Sequence, residues 1–153
     1  TFEAAAYLRR MGAQTQAVKK LFNSSLEDYT YKSQLVTQAE MYMGCAVVCS
    51  ADLPPEMDVV IPQAANDLLT INGIQASVVA VNVGNQISVS ARSMGEVNVQ
   101  LIMEKLGGGG HLTMAGAQLK DMSIEVARQK ILEAIAQYRE EQKKEQAKQL
   151  VKA

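Results

Sequence analysis

Ala76-Ser-Val-Val-Ala-Val-Asn-Val83, followed by Gly84-Asn85 and by Gln86-Ile-Ser-Val-Ser-Ala-Arg-Ser93, is the stretch from which the fold class is read. The first segment is a continuous apolar, β-branched run, the strongest strand signal in the chain. Gly84-Asn85 supplies a two-residue turn. The second segment alternates, with Ile87, Val89 and Ala91 on one face, as a strand paired to the first requires. An antiparallel hairpin over 76–93 is the expectation.

Working upstream, Met43 to Ser50 is apolar and β-branched and predicts another strand. Pro54-Pro55 forces a loop. Ile61 to Leu69 reads as a helix with proline in its first turn, ending at Asn72-Gly73. Downstream, the spacing predicts a helix over about Val97 to Leu106 with Val97, Leu101, Ile102 and Leu106 on its apolar side. Thr113 to Leu119 returns as a strand. Ser123 caps a final helix whose stripe is Ile124, Ala127, Ile131, Ile135 and Tyr138. Strands alternating with helices make an α/β domain, a mixed β-sheet flanked by helices.

The first forty residues are helical in period: one segment from Phe2 stopping near Gly12, a second over Thr15 to Phe22, a third over Leu26 to Met41. Such short helices are marginal unless packed on something, so they are expected to dock on, or link to, another domain. The chain thus divides into a helical linker segment at 1–38, a domain at 39–138 and a charged helical tail at 139–153. It opens without Met, and the expectation is a piece of a longer protein.

Composition narrows the function classes. Of 153 residues, 48% are hydrophobic and 20% charged, and 15 Lys and Arg oppose 16 Asp and Glu. Long nucleic acid is held by neutralising phosphates with a basic excess, and none exists here; a small anion remains open. Apolar runs fall far short of the roughly 20 residues of a membrane span. Cys45 and Cys49 lie four apart; along a strand that is about 13 Å, beyond the roughly 7 Å that a disulfide allows. They read as buried free thiols, which fits a reducing compartment.

Gly107-Gly-Gly-Gly110 followed by His111 is the loudest feature. Four ordered glycines cost about 2–4 kcal/mol of extra backbone entropy relative to alanine. One glycine is enough to end the preceding helix. The remainder points to a turn whose bare backbone admits a ligand and offers amides to an anion. On this reading Gly109→Val is costly twice, through lost φ freedom and through a blocked approach. His111, the single histidine, is placed to donate to a phosphate or pack beside a base. With no second histidine or carboxylate cluster nearby it is no metal site. Arg92 ends the second hairpin strand, either as a surface cation or as a planar fork for phosphate. Nucleotide-binding glycine fingerprints and nucleophile elbows are absent, and no persuasive catalytic set is present.

Ser90-x-Arg-Ser93, Val97-Asn-Val99, Leu106-Gly-Gly-Gly-Gly-His111 and Ala115-Gly116 together resemble the DHH-associated C-terminal domain of Asp-His-His family phosphoesterases. The similarity runs from about Ala39 to Tyr138. The glycine-histidine run continuing Leu112-Thr113, with Ala65-Asn-Asp-Leu-Leu69, looks most like the cyclic di-AMP phosphodiesterase branch, and Phe2 to Arg10 looks like the end of a preceding DHH domain. The resemblance implies the substrate-binding part of an enzyme that hydrolyses cyclic di-AMP to linear pApA. Two manganese ions would be held by Asp and His residues of the DHH domain, so the fragment alone would bind and not hydrolyse. Arg92 and Ser93 become phosphate or ribose contacts, Gly107, Gly108, Gly109 and Gly110 the close-approach loop, and His111 a hydrogen-bond donor. It further implies a cytoplasmic domain of a membrane-anchored bacterial signalling protein, with a homodimer as one arrangement. Two other readings stand beside it: a nanoRNA or pAp phosphatase of the same superfamily, and a non-catalytic nucleic-acid-binding or dimerisation module.

Overall fold

The computed structural model describes residues 2–21, 23–50 and 53–152. Thr1, Phe22 and Ala153, which the sequence assigns to the first helical segments and the tail, lie outside the described residues. The chain forms α1 (Phe2–Arg10), α2 (Thr15–Lys20), α3 (Leu26–Thr37), β1 (Glu40–Tyr42), β2 (Cys45–Ser50) and α4 (Val60–Leu68). There follow β3 (Ala76–Val83), β4 (Gln86–Ser93), α5 (Val99–Glu104), β5 (Gly109–Gly110), β6 (Met114–Lys120) and α6 (Ile124–Lys152). The six strands make one mixed sheet in the order β1-β2-β3-β4-β6-β5. Only β2 and β3 pair in parallel, and α4 is the crossover between them, as parallel neighbours require.

The 76–93 hairpin forms as expected, with Val83 opposite Gln86 and Gly84 at φ 63° in the first loop position, the conformation of a type II′ turn. Two expectations need correcting upstream. The third helix stops at Thr37 rather than Met41, and Glu40–Tyr42 is an edge strand antiparallel to β2. The predicted single strand over 43–50 therefore begins with a turn: Tyr42 pairs with Cys45 across Met43 and Gly44, whose φ angles are 49° and 80°. Both values are positive, as a type I′ hairpin turn demands. The edge is fastened to α6 by Arg128 paired with Glu40, and by Arg139, which donates to the Met43 carbonyl and to Gln75 Oε1.

Each sheet face has its own apolar layer. On one side α5 and α6 pack Val99, Ile102, Met103, Ala127, Ile131 and Ile135 against Val78, Ala80, Ile87, Val89 and Ala91. Within α5 the apolar side is shifted from the predicted one: Val99 and Met103 are buried, whereas Leu101 is exposed. The cause is a later helix start, since Asn98 caps α5 by accepting from Gln100 N–H. Tyr138, the last residue of the α6 stripe, is buried and its hydroxyl accepts from Asn98 N–H. On the other side α3 and α4 lay Leu35, Ile61, Ala64, Ala65 and Leu68 over Ala46, Val48, Val79 and Val81. Helices α1 and α2 bury no residue of their own. No helix among the described residues is long and apolar enough to cross a membrane.

Candidate functional site

Side chains alternate along β4, so the core takes Ile87, Val89 and Ala91 while Ser88, Ser90 and Arg92 turn to the opposite face. On β6, Ala115, Ala117 and Leu119 are buried, leaving Gly116 and its alternates on that same opposite face. Beside α4 this part of the sheet forms an open groove of about 600 Å³. Its walls are Asp58, Val59 and Pro62 at the start of α4 and Met114 on β6; its floor is Ser88, Ser90, Gly116, Gly109 and Gly110, with Arg92 among them.

Arg92 is half-buried and has no acidic partner among the described residues. One terminal nitrogen, Nη1, donates to the neighbouring Ala91 carbonyl at 2.8 Å, while Nε is buried and without a hydrogen-bond partner. Burial pushes the guanidinium pKa below its ordinary value, because removing water penalises the charged form. Arginine nonetheless stays protonated in proteins. The groove therefore holds a positive charge, one of whose donors, Nε, is buried without a partner among the described residues, a costly arrangement.

The glycine run divides its work. Gly107 N–H donates to Glu104 O and Gly108 N–H to Met103 O, the two bonds of a Schellman helix stop, with Gly107 at φ 77°. Gly109 and Gly110 then form β5, opposite Gly116 and Ala115, and His111 N–H donates to Met114 O at 2.7 Å. The amides of Gly107, Gly108 and His111 are thus used within the protein and do not form an open anion nest. A Cβ on Gly108 would sit 2.1 Å from Gly116 O, and one on Gly110 2.5 Å from Ala115 Cα. Gly109 differs. It needs no positive φ, and a Cβ there meets nothing within 4 Å, so the expected loss of φ freedom does not apply to it. A side chain there would project into the open space of the groove it lines.

The structure brings Arg92, Gly109 and Gly110 together, and leaves Ser93 and His111 outside that groove. Ser93 is buried and its hydroxyl donates to Val97 O at 2.6 Å, tying the end of β4 to the chain entering α5. The His111 ring is exposed just past β5. Sequence reasoning missed Ser88 and quoted Ser90 and Gly116 only as part of the family motif, without a site role, although the alternation that placed Ile87, Val89 and Ala91 inward also fixes the opposite set. Cys45 and Cys49 are free, as expected, and burial pushes the Cys49 thiol up to about 11. Among the described residues no three His, Cys, Asp or Glu side chains come together as a metal site. This donor set does not fit a manganese centre.

Comparisons with known proteins bear on the family of the chain. The chain is 44% identical over 140 residues to the cyclic-di-AMP phosphodiesterase GdpP of Geobacillus thermodenitrificans, covering 90% of this chain and 21% of that protein. It is 43% identical over 68 residues to the bifunctional oligoribonuclease and PAP phosphatase NrnA of Thermus thermophilus, covering 42% of this chain and 21% of that one. The chain thus spans about a fifth of the length of these curated relatives. An exopolyphosphatase-related protein from Bacteroides fragilis shares the fold, with a TM-score of 0.76 at 20% identity over 90% of this chain and 43% of its own. The model of the DHHA1 domain matches residues 50–141, more than half of the sequence; the chain belongs to the DHHA1 domain family.

Proposed function

We infer that this chain is the nucleotide-gripping C-terminal part of a phosphodiesterase that hydrolyses cyclic di-AMP to pApA. The observation that carries the reading is Arg92, an unpaired half-buried cation with an orphaned Nε in a glycine-floored groove. A phosphate there accepts from the guanidinium in a fixed planar geometry. Gly109 and Gly110 let a ribose or base approach the backbone closely. Ser93 acts as a positioning residue through its bond to Val97 O, and His111, exposed beside Gly110, donates to the part of the ligand that extends past the groove.

Hydrolysis belongs, in this reading, to a DHH domain that precedes residues 1–38 and supplies the manganese. The exposed α1 and α2, which bury nothing of their own, pack on that domain, and the charged tail is solvated helix over 143–149. A cytoplasmic setting, attachment of the parent protein to the bacterial membrane, and a homodimer form part of the same proposal. The similarity to an oligoribonuclease and PAP phosphatase favours a second reading, in which the same groove serves a nanoRNA or pAp phosphatase. Turnover of cyclic di-AMP, pAp and short RNA by the full-length protein separates the two.

Titration calorimetry of the chain with cyclic di-AMP, pApA and AMP at two salt concentrations tests the groove. Saturable binding of the dinucleotides, weakened by about 1–3 kcal/mol in Arg92→Ala, is the expected result for loss of a charge-assisted hydrogen bond. Binding identical in parent and variant removes Arg92 from the site.

A further inference from the structure

The groove at Arg92 does not end at Gly116. A second concavity, of about 530 Å³, shares Ser88, Val89 and Gly116 with it and continues past Gly107 and Gly108 to Gln118 and Lys120. A third, of about 480 Å³, shares Gln118 and Lys120 with the second and turns round the sheet edge to Lys105 and Lys130. The turn is possible because β5 pairs only with Ala115 and Gly116, leaving the outer edge of β6 from Gln118 to Lys120 uncovered by a strand.

We propose that this trough is a second phosphate subsite, centred on Lys120 and Lys130, that engages linear oligonucleotides longer than a dinucleotide. The proposal rests on the reading of Arg92 as a phosphate contact. The register fixes the span: Arg92 lies opposite Met114 and Gln86 opposite Lys120. Six strand residues cover about 20 Å. A stacked nucleic-acid strand advances about 3.4 Å per nucleotide, so the six phosphates of a 5′-phosphorylated hexanucleotide span about 17 Å, which the long Arg92 and Lys120 side chains extend to the full distance, whereas the phosphates of a dinucleotide fall far short of it.

Charge supports the same length. Lys120 and Lys130 make no ion pair among the described residues, whereas Lys105 is held by Glu141 at 2.8 Å. Glu133 also faces the third concavity, where its carboxylate is engaged by Gln129 Nε2. Glu133 keeps its charge in that bond, and against it stand the two unpaired lysines, so the lysine end is positive by a single charge; the floor between the two ends is mostly glycine, serine and glutamine. An uncharged, side-chain-poor floor with a cation at each end suits a sugar-phosphate chain and leaves its bases unread.

The test is fluorescence anisotropy of the 153-residue chain with 5′-phosphorylated, 3′-labelled oligoadenylates of two, four and six nucleotides. The hexanucleotide is expected to bind about tenfold tighter than the dinucleotide, with a salt slope steeper by about 1.4 for two added phosphate contacts on a single strand. Lys120→Gln combined with Lys130→Gln should abolish the gain with length and leave the dinucleotide unchanged. Arg92→Gln should weaken all lengths alike. Affinity independent of length overturns the subsite while leaving the Arg92 groove in place. A length gain that survives the double lysine substitution overturns its location. Absence of binding at every length overturns both readings together.

Discussion

Two neighbouring halves of one sheet face are treated in opposite ways. Over β2 and β3 the face presents Ala46, Val48, Val79 and Val81, and α4 covers it with Ile61, Ala64, Ala65 and Leu68. Over β4 and β6 the same face presents Ser88, Ser90, Arg92 and Gly116, and it stays an open groove. Apolar side chains bring a helix down because burying them is worth about 25 cal/mol per Å²; a serine-and-glycine surface gains nothing comparable. The two arginines repeat the contrast. Arg139 spends its donors on Met43 O and Gln75 Oε1 to fasten the sheet edge, while Arg92 keeps a buried Nε without a partner. One half of this sheet face is covered by the fold, and the other stays open.

The largest effect expected from probing this contrast lies in the glycine run. Gly108→Ala drives a Cβ to 2.1 Å from Gly116 O and should cost about 3 kcal/mol in denaturant unfolding, the upper end of the usual overpacking range. Gly109→Ala meets no atom and should leave stability within about 0.5 kcal/mol, while weakening nucleotide binding. Equal destabilisation by both would mean that the run is a single structural unit, with no division between helix stop and groove.

Exchanging the arginines sharpens the comparison further. Arg92→Ala should lower affinity by about 1–3 kcal/mol and leave unfolding unchanged within about 0.5 kcal/mol, since the protein itself makes little use of the group. Arg139→Ala should do the reverse, costing about 1–2 kcal/mol of stability through its lost hydrogen bonds with dinucleotide affinity intact. Arg92→Lys should restore charge without full affinity, because a point charge cannot reproduce a planar fork. The crossed pattern, measured by calorimetry and chemical denaturation on the same samples, fails if Arg92→Ala unfolds the chain as readily as Arg139→Ala.

Ser93→Ala gives the smallest effect. It leaves Val97 O without its hydroxyl donor and should cost about 1 kcal/mol of stability. Affinity should change only through slackening of the β4 end. A loss of binding as large as that of Arg92→Ala would return Ser93 to the ligand.

The parts of the fold written locally in the sequence were the readable ones. The 76–93 hairpin carries its turn and its alternation within eighteen residues, and the α6 stripe repeats often enough to be seen. β1 and β5 are not legible, because strands of three and two residues are too short to display the alternation that marks a strand, even though each pairs with a near neighbour in the chain. Gly44, in the second position of the β1–β2 turn, was the one local signal for β1, and it was absorbed into a longer strand. In the site, residue types singled out Arg92 and the glycines, but not how the run divides. That division depends on carbonyls at 103 and 104 and on the neighbouring β6, none of which has a sequence signature. Nor can sequence show that a guanidinium lacks a partner, since that is a property of everything packed around it.

The pairing of Gly109 and Gly110 with β6 also bears on the tempo of binding. A loose glycine loop would settle only around its ligand, and the encounter would show a slow second phase whose amplitude reports that settling. Here the most permissive backbone in the chain takes its place in the sheet when the protein folds. Ligand capture should therefore appear in stopped-flow traces as a single exponential whose rate rises linearly with nucleotide concentration, with no plateau set by an internal rearrangement.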